Sequence, residues 1–205
     1  MTETSILVLA SASPRRQELL RNAGIPFTVS PSNVPEQPQA GEKPRDCAER
    51  LAREKALAGF AQHPSQPVLG ADTIVVIDGE MLGKPHDEAD AMRMLRLLSG
   101  RTHEVITGVC LVGPQLRTEN QKLETGFEET RSEVTLVTMT TLTDDDIRAY
   151  IASGEPMDKA GAYAIQGRAS RWIPRIEGDY FNVVGLPVAL IHSMLQKHAL
   201  TSQKK

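Results

Sequence analysis

An acidic side chain stands inside an apolar run at Gly70-Ala71-Asp72-Thr73-Ile74-Val75-Val76. A charge placed there without a partner is costly, so Asp72 requires a compensating cation or a metal ion. Val68 to Ile77 reads as a β-branched strand that turns through Asp78-Gly79, a strong two-residue hairpin signal, into Glu80 to Leu82. This pairing sets Ile77 opposite Glu80. Continuing the register brings Lys84 opposite Thr73, one step from Asp72, although Gly83 and Pro85 disturb that stretch. A carboxylate beside a lysine is either a structural ion pair or a place to hold a metal and a water near phosphate.

Lys55 is a second departure from pattern. On a helix expected from Pro44 to Phe60 it follows Ala48, Leu51 and Ala52 at helical spacing, so it shares the apolar stripe. Its ammonium either snorkels to water or meets a buried anion. Ser11-Ala12-Ser13-Pro14-Arg15-Arg16 lies between a short apolar strand, Ile6 to Leu9, and a helix from about Pro14 to Ala23 that Gly24 ends. Ser13 can cap, Pro14 suits the first helical position, and open backbone N–H groups there make an anion site. Arg15 and Arg16 fall at the helix end where the dipole disfavours cations, a penalty that a bound polyanion would reverse. Solvated or surface-paired arginines are the plainer alternative.

Asp158 to Gly167 packs small residues around two charges and ends on Gln166, whose amide can donate to and accept from a base edge or simply bond nearby backbone. None of the five histidines pairs with another at metal-ligand spacing, and His103 alone sits in a suggestive context. Cys47 and Cys110 form no Cys-x-x-Cys motif, which suits a reduced compartment, and no Ser-His-Asp set stands out. Covalent catalysis is disfavoured.

The elements that must hold these residues alternate without a strict βαβ rhythm. A Pro-rich loop, Pro31 to Pro44, carries Glu36. Asp87 opens a helix with Ala91, Met94, Leu95 and Leu98 on one face, and Gly100 stands at its end. Strands are expected at Phe27 to Val29, Val105 to Val112 and Glu133 to Met139, the last two flanking a polar insertion. Thr143 with Asp146 predicts a capping box, and Leu142 with Ile147 a hydrophobic staple, on a helix to about Ala152. Short strands are expected at Tyr163 to Ile165, Trp172 to Ile176 and Phe181 to Val184, before a helix opened by Pro187. The sum is an α/β chain with a mixed sheet and flanking helices, without a dinucleotide or Walker motif. A tail from Thr201 to Lys205 is expected to fray.

Composition excludes more than it identifies. The 205 residues, 40% hydrophobic and 24% charged, suit a folded domain, and a net charge of −3 offers no general attraction to nucleic acid or an anionic membrane. Any phosphate site must then be a local cluster of Lys and Arg. The start of the chain lacks a signal-peptide pattern and no apolar run reaches spanning length, so a cytoplasmic location is expected.

Taken in order, these segments resemble the Maf family of nucleotide pyrophosphatases. The resembling pieces are Leu9 to Arg16, Leu51-Ala52-Arg53-Glu54-Lys55-Ala56, Gly70-Ala71-Asp72-Thr73, Gly83-Lys84-Pro85, Leu98 to His103, Glu155 to Tyr163, Gly178-Asp179-Tyr180 and Val184-Gly185-Leu186-Pro187. The resemblance implies one two-lobed α/β domain over residues 1–205, with a curved mixed sheet and a cleft as in Maf and ITPase-like proteins. It also implies a divalent metal, Mg²⁺ or Mn²⁺, hydrolysis between the α- and β-phosphates of a nucleoside triphosphate, and commonly a homodimer. By position it implies phosphate-binding roles for Ser11, Arg15, Arg16, Lys55 and Lys84, a catalytic and metal-holding role for Asp72, and a metal-associated role for Glu36. Arg15, Thr73 and Gln166 resemble the branch that acts on dTTP and UTP; the alternatives are the branch acting on 7-methyl-GTP and a non-catalytic role in septum formation. Ala164, where glycine is usual before Ile-Gln-Gly, and the long stretch Gly113 to Arg131 depart from the family pattern.

Overall fold

The computed structural model describes residues 7–114 and 125–200. The expected frayed tail and the middle of the 113–131 insertion lie outside the described residues. The chain runs β1 (Leu7–Leu9), α1 (Pro14–Asn22), β2 (Phe27–Val29), α2 (Pro44–Gln62), β3 (Val68–Ile77), β4 (Glu80–Leu82), α3 (Glu88–Leu98), β5 (Thr102–Pro114), β6 (Thr125–Thr138), α4 (Asp144–Ile151), β7 (Arg175–Glu177), α5 (Tyr180–Val184) and α6 (Val188–Lys197). The strands pair in the order β2-β1-β3-β5-β6-β7, with β4 on β3. Leu7 pairs with Phe27 and Val8 with Val68 in parallel, whereas Ile77 opposes Glu80 and Leu136 opposes Glu177 antiparallel. The sheet is therefore mixed, as expected. No helix among the described residues is long and apolar enough to cross a membrane.

Two compact units divide the chain: Met1–Asp72 with Gly108–Ser132 and Gly185–Lys205, and Thr73–Thr107 with Glu133–Val184. In the first unit, α2 turns one face inward through Cys47, Ala48, Leu51, Ala52, Lys55, Ala56, Gly59 and Phe60. That face packs with Val8, Ala10, Val68, Cys110 and Val112 in one apolar cluster. Contact is close because glycine stands on the opposing strands. A Cβ on Gly70 would come within 2.1 Å of the Ala52 carbonyl oxygen, and one on Gly108 within 2.2 Å of that of Ala48. Burial pushes the Cys47 thiol up to about 12 and the Cys110 thiol up to about 11, so both stay protonated and unreactive.

In the second unit, α3 buries Ala91, Met94, Leu95 and Leu98, the face that the sequence predicts. The Thr143–Asp146 capping box forms, and both Leu142 and Ile147 are buried. Three expectations fail in this unit. Tyr163 to Ile165 is not a strand, because Gly161 and Ala162 before it sit at positive φ and turn the chain. Tyr180–Val184 is a helix, started by the Asp179 carboxylate accepting the Phe181 N–H at 2.7 Å. Trp172 ends a tight turn of 3₁₀ helix over Arg168–Trp172, leaving only Arg175–Glu177 as strand. β6 also begins at Thr125, inside what reads in sequence as a polar insertion.

Candidate active site

Gly70 and Asp72 lie two apart on β3 and so share a strand face. The close approach that Gly70 permits brings α2 over that face. Lys55, only 4% exposed, donates from Nζ to Asp72 Oδ1 at 2.5 Å and to Glu36 Oε1 at 2.6 Å. Of the two alternatives for Lys55, the buried anion holds and snorkelling does not. Asp72 is itself buried, while the Glu36 side chain is 42% exposed. A single ammonium thus bridges a buried carboxylate and an open one.

The turn after β1 supplies the second cation. Arg16 Nη1 donates to the Ala71 carbonyl at 2.8 Å and to Ser11 Oγ at 3.2 Å, and its Nε donates to the Gly185 carbonyl at 2.8 Å. One guanidinium therefore ties the turn, β3 beside Asp72, and the segment before α6. Ser11 Oγ also accepts the Ser13 N–H at 3.3 Å, and Ser13 Oγ caps α1 by accepting the Arg16 N–H at 3.5 Å. Burial lowers the Arg16 pKa, Asp72 and Glu36 oppose that, and neighbouring Arg15 adds to it. Two carboxylates thus offset the cost of setting arginines in the first turn of α1, where no acidic residue stands. Arg15 is half-buried in the same turn.

Glu36 owes its place to a tether at the end of its loop. Glu42 accepts from Arg50 Nε at 2.6 Å and Nη2 at 2.8 Å, and Arg50 Nη2 also donates to the Gln37 carbonyl at 3.1 Å. The Arg50 guanidinium holds the Glu42 carboxyl at about 2, well below the usual range. The Pro-rich segment is thereby fixed to α2, the helix that bears Lys55.

Within the second unit, Thr73 is half-buried with its Oγ1 3.0 Å from Thr107 Oγ1. Lys84 is exposed in a bend. The β3–β4 ladder stops at Val75 opposite Leu82, so the register that would set Lys84 opposite Thr73 is not continued. Instead the Gly83 carbonyl accepts the Gly161 N–H at 3.0 Å, and Pro85 follows. Gln166 is exposed on a turn held from both sides. Tyr150 Oη accepts the Ala164 N–H at 3.2 Å and donates to Glu155 Oε1 at 2.8 Å, and Glu155 Oε1 accepts the Arg168 N–H at 3.0 Å. Sequence reasoning misses Tyr150, Glu155 and Thr107. Their partners lie across turns and strands whose pairing no local pattern specifies.

Residues 6–198 match the family described as Maf-like protein. The chain belongs to the Maf family. Among its Maf relatives, a protein of Koribacter versatilis (strain Ellin345) named dTTP/UTP pyrophosphatase is 56% identical over 93% of each chain. Proteins of the same name from Geobacter metallireducens and Geobacter sulfurreducens are 53% and 51% identical, over 92% and 95% of this chain and 93% and 97% of theirs. A solved nucleoside-triphosphatase / dITP/XTP pyrophosphatase from Mycobacterium abscessus aligns at TM-score 0.40 and 16% identity, over 72% of this chain and 94% of that one, a likeness too weak to argue from.

In this Maf chain Asp72 and Glu36 converge on one point, since both reach the same Nζ. Hard carboxylate oxygens of that number fit Mg²⁺ or Mn²⁺, which take one or two carboxylates and complete their shell with phosphate and water. No group of three or more His, Cys, Asp or Glu suited to a metal gathers among the described residues. The donor set fits a cation shared with a phosphate ligand, not an all-protein cage.

Proposed function

We propose that this Maf chain hydrolyses dTTP and UTP to the nucleoside monophosphate and pyrophosphate. The supporting observation is the bridge from Lys55 Nζ to Asp72 and Glu36, with the Arg16 guanidinium anchored on the carbonyl next to Asp72. Two acids and two cations in one place suit a polyanion and an attacking water. The names of the relatives at about half identity support the choice of base.

In this reading Asp72 orients the water and takes its proton as the water oxygen bonds to the α-phosphorus and the α–β bridging bond breaks. Lys55, Arg15, Arg16 and Lys84 stabilise the negative charge of the departing pyrophosphate, and Ser11 positions a phosphate oxygen. Asp72 and Glu36 would hold the divalent cation, which supplies charge neutralisation on the triphosphate when bound. Arg15, Thr73 and Gln166 select the base. Residues 1–205 act as one functional domain, as a homodimer in the cytoplasm.

A hydrolysis panel of dTTP, UTP, CTP, GTP and 7-methyl-GTP with Mg²⁺ or Mn²⁺, products identified, tests the proposal. The expected outcome is monophosphate and pyrophosphate from dTTP and UTP, with the other three much slower. Preference for 7-methyl-GTP, or binding without turnover of any, would sink it.

A further inference from the structure

Gln166 stands at the third position of a turn closed by the Gly167 N–H, which donates to the Ala164 carbonyl at 3.0 Å. Ile165 and Ala169 are buried, and Gln166 is exposed between them. One pair of side chains holds both ends of this turn. The Ala164 N–H can only donate, so Tyr150 Oη accepts it at 3.2 Å and gives its single proton to Glu155 Oε1 at 2.8 Å. The Arg168 N–H can only donate too, and it meets Glu155 at 3.0 Å from Oε1 and 3.2 Å from Oε2. The relay thus has one direction, from Ala164 to Tyr150 to Glu155, with Arg168 closing on the same carboxylate.

Packing limits both side chains. The Tyr150 ring is fully buried and stands edge-on to Trp172, with centroids 5.4 Å apart and planes at 81°. Burial, and then the bond to Glu155, push the phenol pKa up, so the ring keeps the proton that it donates. The Glu155 carboxylate lies against Gly167, where a Cβ would come within 2.0 Å of Oε1. The glycine next to Gln166 is therefore what admits the acid. The Ala164–Gly167 bond alone would close the turn; the phenol and the carboxylate add to it by tying the turn to α4 and the residues after it.

We infer that Tyr150 and Glu155 are positioning residues for base selection, which hold both ends of the turn so that the Gln166 amide meets the edge of uracil or thymine. They act through Gln166 and not on the nucleotide. Hydrogen bonds weaken steeply with distance and angle, so a turn released by about 1 Å loses its hold on the base. The inference rests on the pyrimidine reading above, in which Gln166 selects the base.

The test is a double-mutant cycle on kcat/KM for UTP in the full chain, with circular dichroism reporting the fold of each variant. Gln166→Ala is expected to lose about tenfold, the worth of one well-placed hydrogen bond. Tyr150→Phe keeps the ring and removes the relay, while Glu155→Ala removes the carboxylate. Each is expected to lose about tenfold in the parent chain and less than about twofold once Gln166→Ala is present. A folded Tyr150→Phe or Glu155→Ala chain at the parent rate overturns the inference, and so does an equal loss in the two backgrounds, which is what a purely structural role gives. Either variant alone decides the question if the other does not fold. A Gln166→Ala chain at the parent rate, or absent turnover of UTP by the parent, would instead overturn the reading in which Gln166 selects a pyrimidine.

Discussion

Lys55 is the residue whose environment decides most. Its ammonium is buried with Asp72, their side chains 6% and 10% exposed, so neither charge can fall back on water. Breaking such a pair from one side typically costs about 3–5 kcal/mol, because the survivor stays buried and uncompensated. Lys55→Met should lose stability of that order in urea unfolding, and adding Asp72→Leu should restore most of it; a single variant as stable as the parent would refute the pairing. His103 gives a pH prediction. Its Nε2 meets Tyr163 Oη at 2.8 Å, its Nδ1 has no partner among the described residues, and burial lowers its pKa from 6.5 to about 4. The unfolded chain takes up this proton first, so stability from the neutral ring is complete above pH 6.5, declines as pH falls and is gone below about 4. His103→Phe should flatten that part of an acid unfolding series, and an unchanged slope would count against it. At this scale the sequence was half sufficient: an acid in an apolar strand and a lysine on an apolar stripe each demand a partner, but only folded geometry shows that each satisfies the other.

Among the elements, α2 against β3 makes the site possible. Gly70→Ala would drive a methyl into the Ala52 carbonyl, at 2.1 Å in the parent geometry, and the helix must lift. Overpacking of this kind costs about 1–3 kcal/mol. Because Lys55 rides on the same helix, misplacement should also cost activity on the order of 100-fold, read as kcat/KM with stability measured in parallel. An active Gly70→Ala chain would show that the spacing does not matter. The loop bearing Glu36 depends on the Glu42–Arg50 pair, and the lowered Glu42 pKa makes its contribution complete above about 4.5 and lost as pH falls toward 2. Glu42→Gln should remove that acid dependence, seen as altered protease cleavage of the loop between those limits. The hairpin at Asp78-Gly79 and the Thr143 cap were legible because their signals are local. The helix at Tyr180–Val184 was not, since a β-branched sequence was overruled by one Asp179 side-chain bond.

For the whole molecule, a net charge of −3 hides the feature that matters. Cations from the turn after β1 and from α2 gather beside Asp72 in the first unit, a concentration that overall charge does not reveal. The mixed sheet and most helices could be read from periodicity and turn residues, whereas strand order and the close contacts under α2 depend on pairings remote in sequence. The same remoteness hid the Tyr150–Glu155 support of Gln166, which bonds atoms on either side of the turn. The central claim is that Asp72 serves a water that attacks a nucleoside triphosphate and is not merely the partner of Lys55. The most direct measurement is pyrophosphate release from UTP and dTTP by Asp72→Asn, alongside circular dichroism and nucleotide binding. The expected result is a folded chain that still binds nucleotide but has lost at least about 100-fold in kcat; a folded variant releasing pyrophosphate at the parent rate would contradict the account.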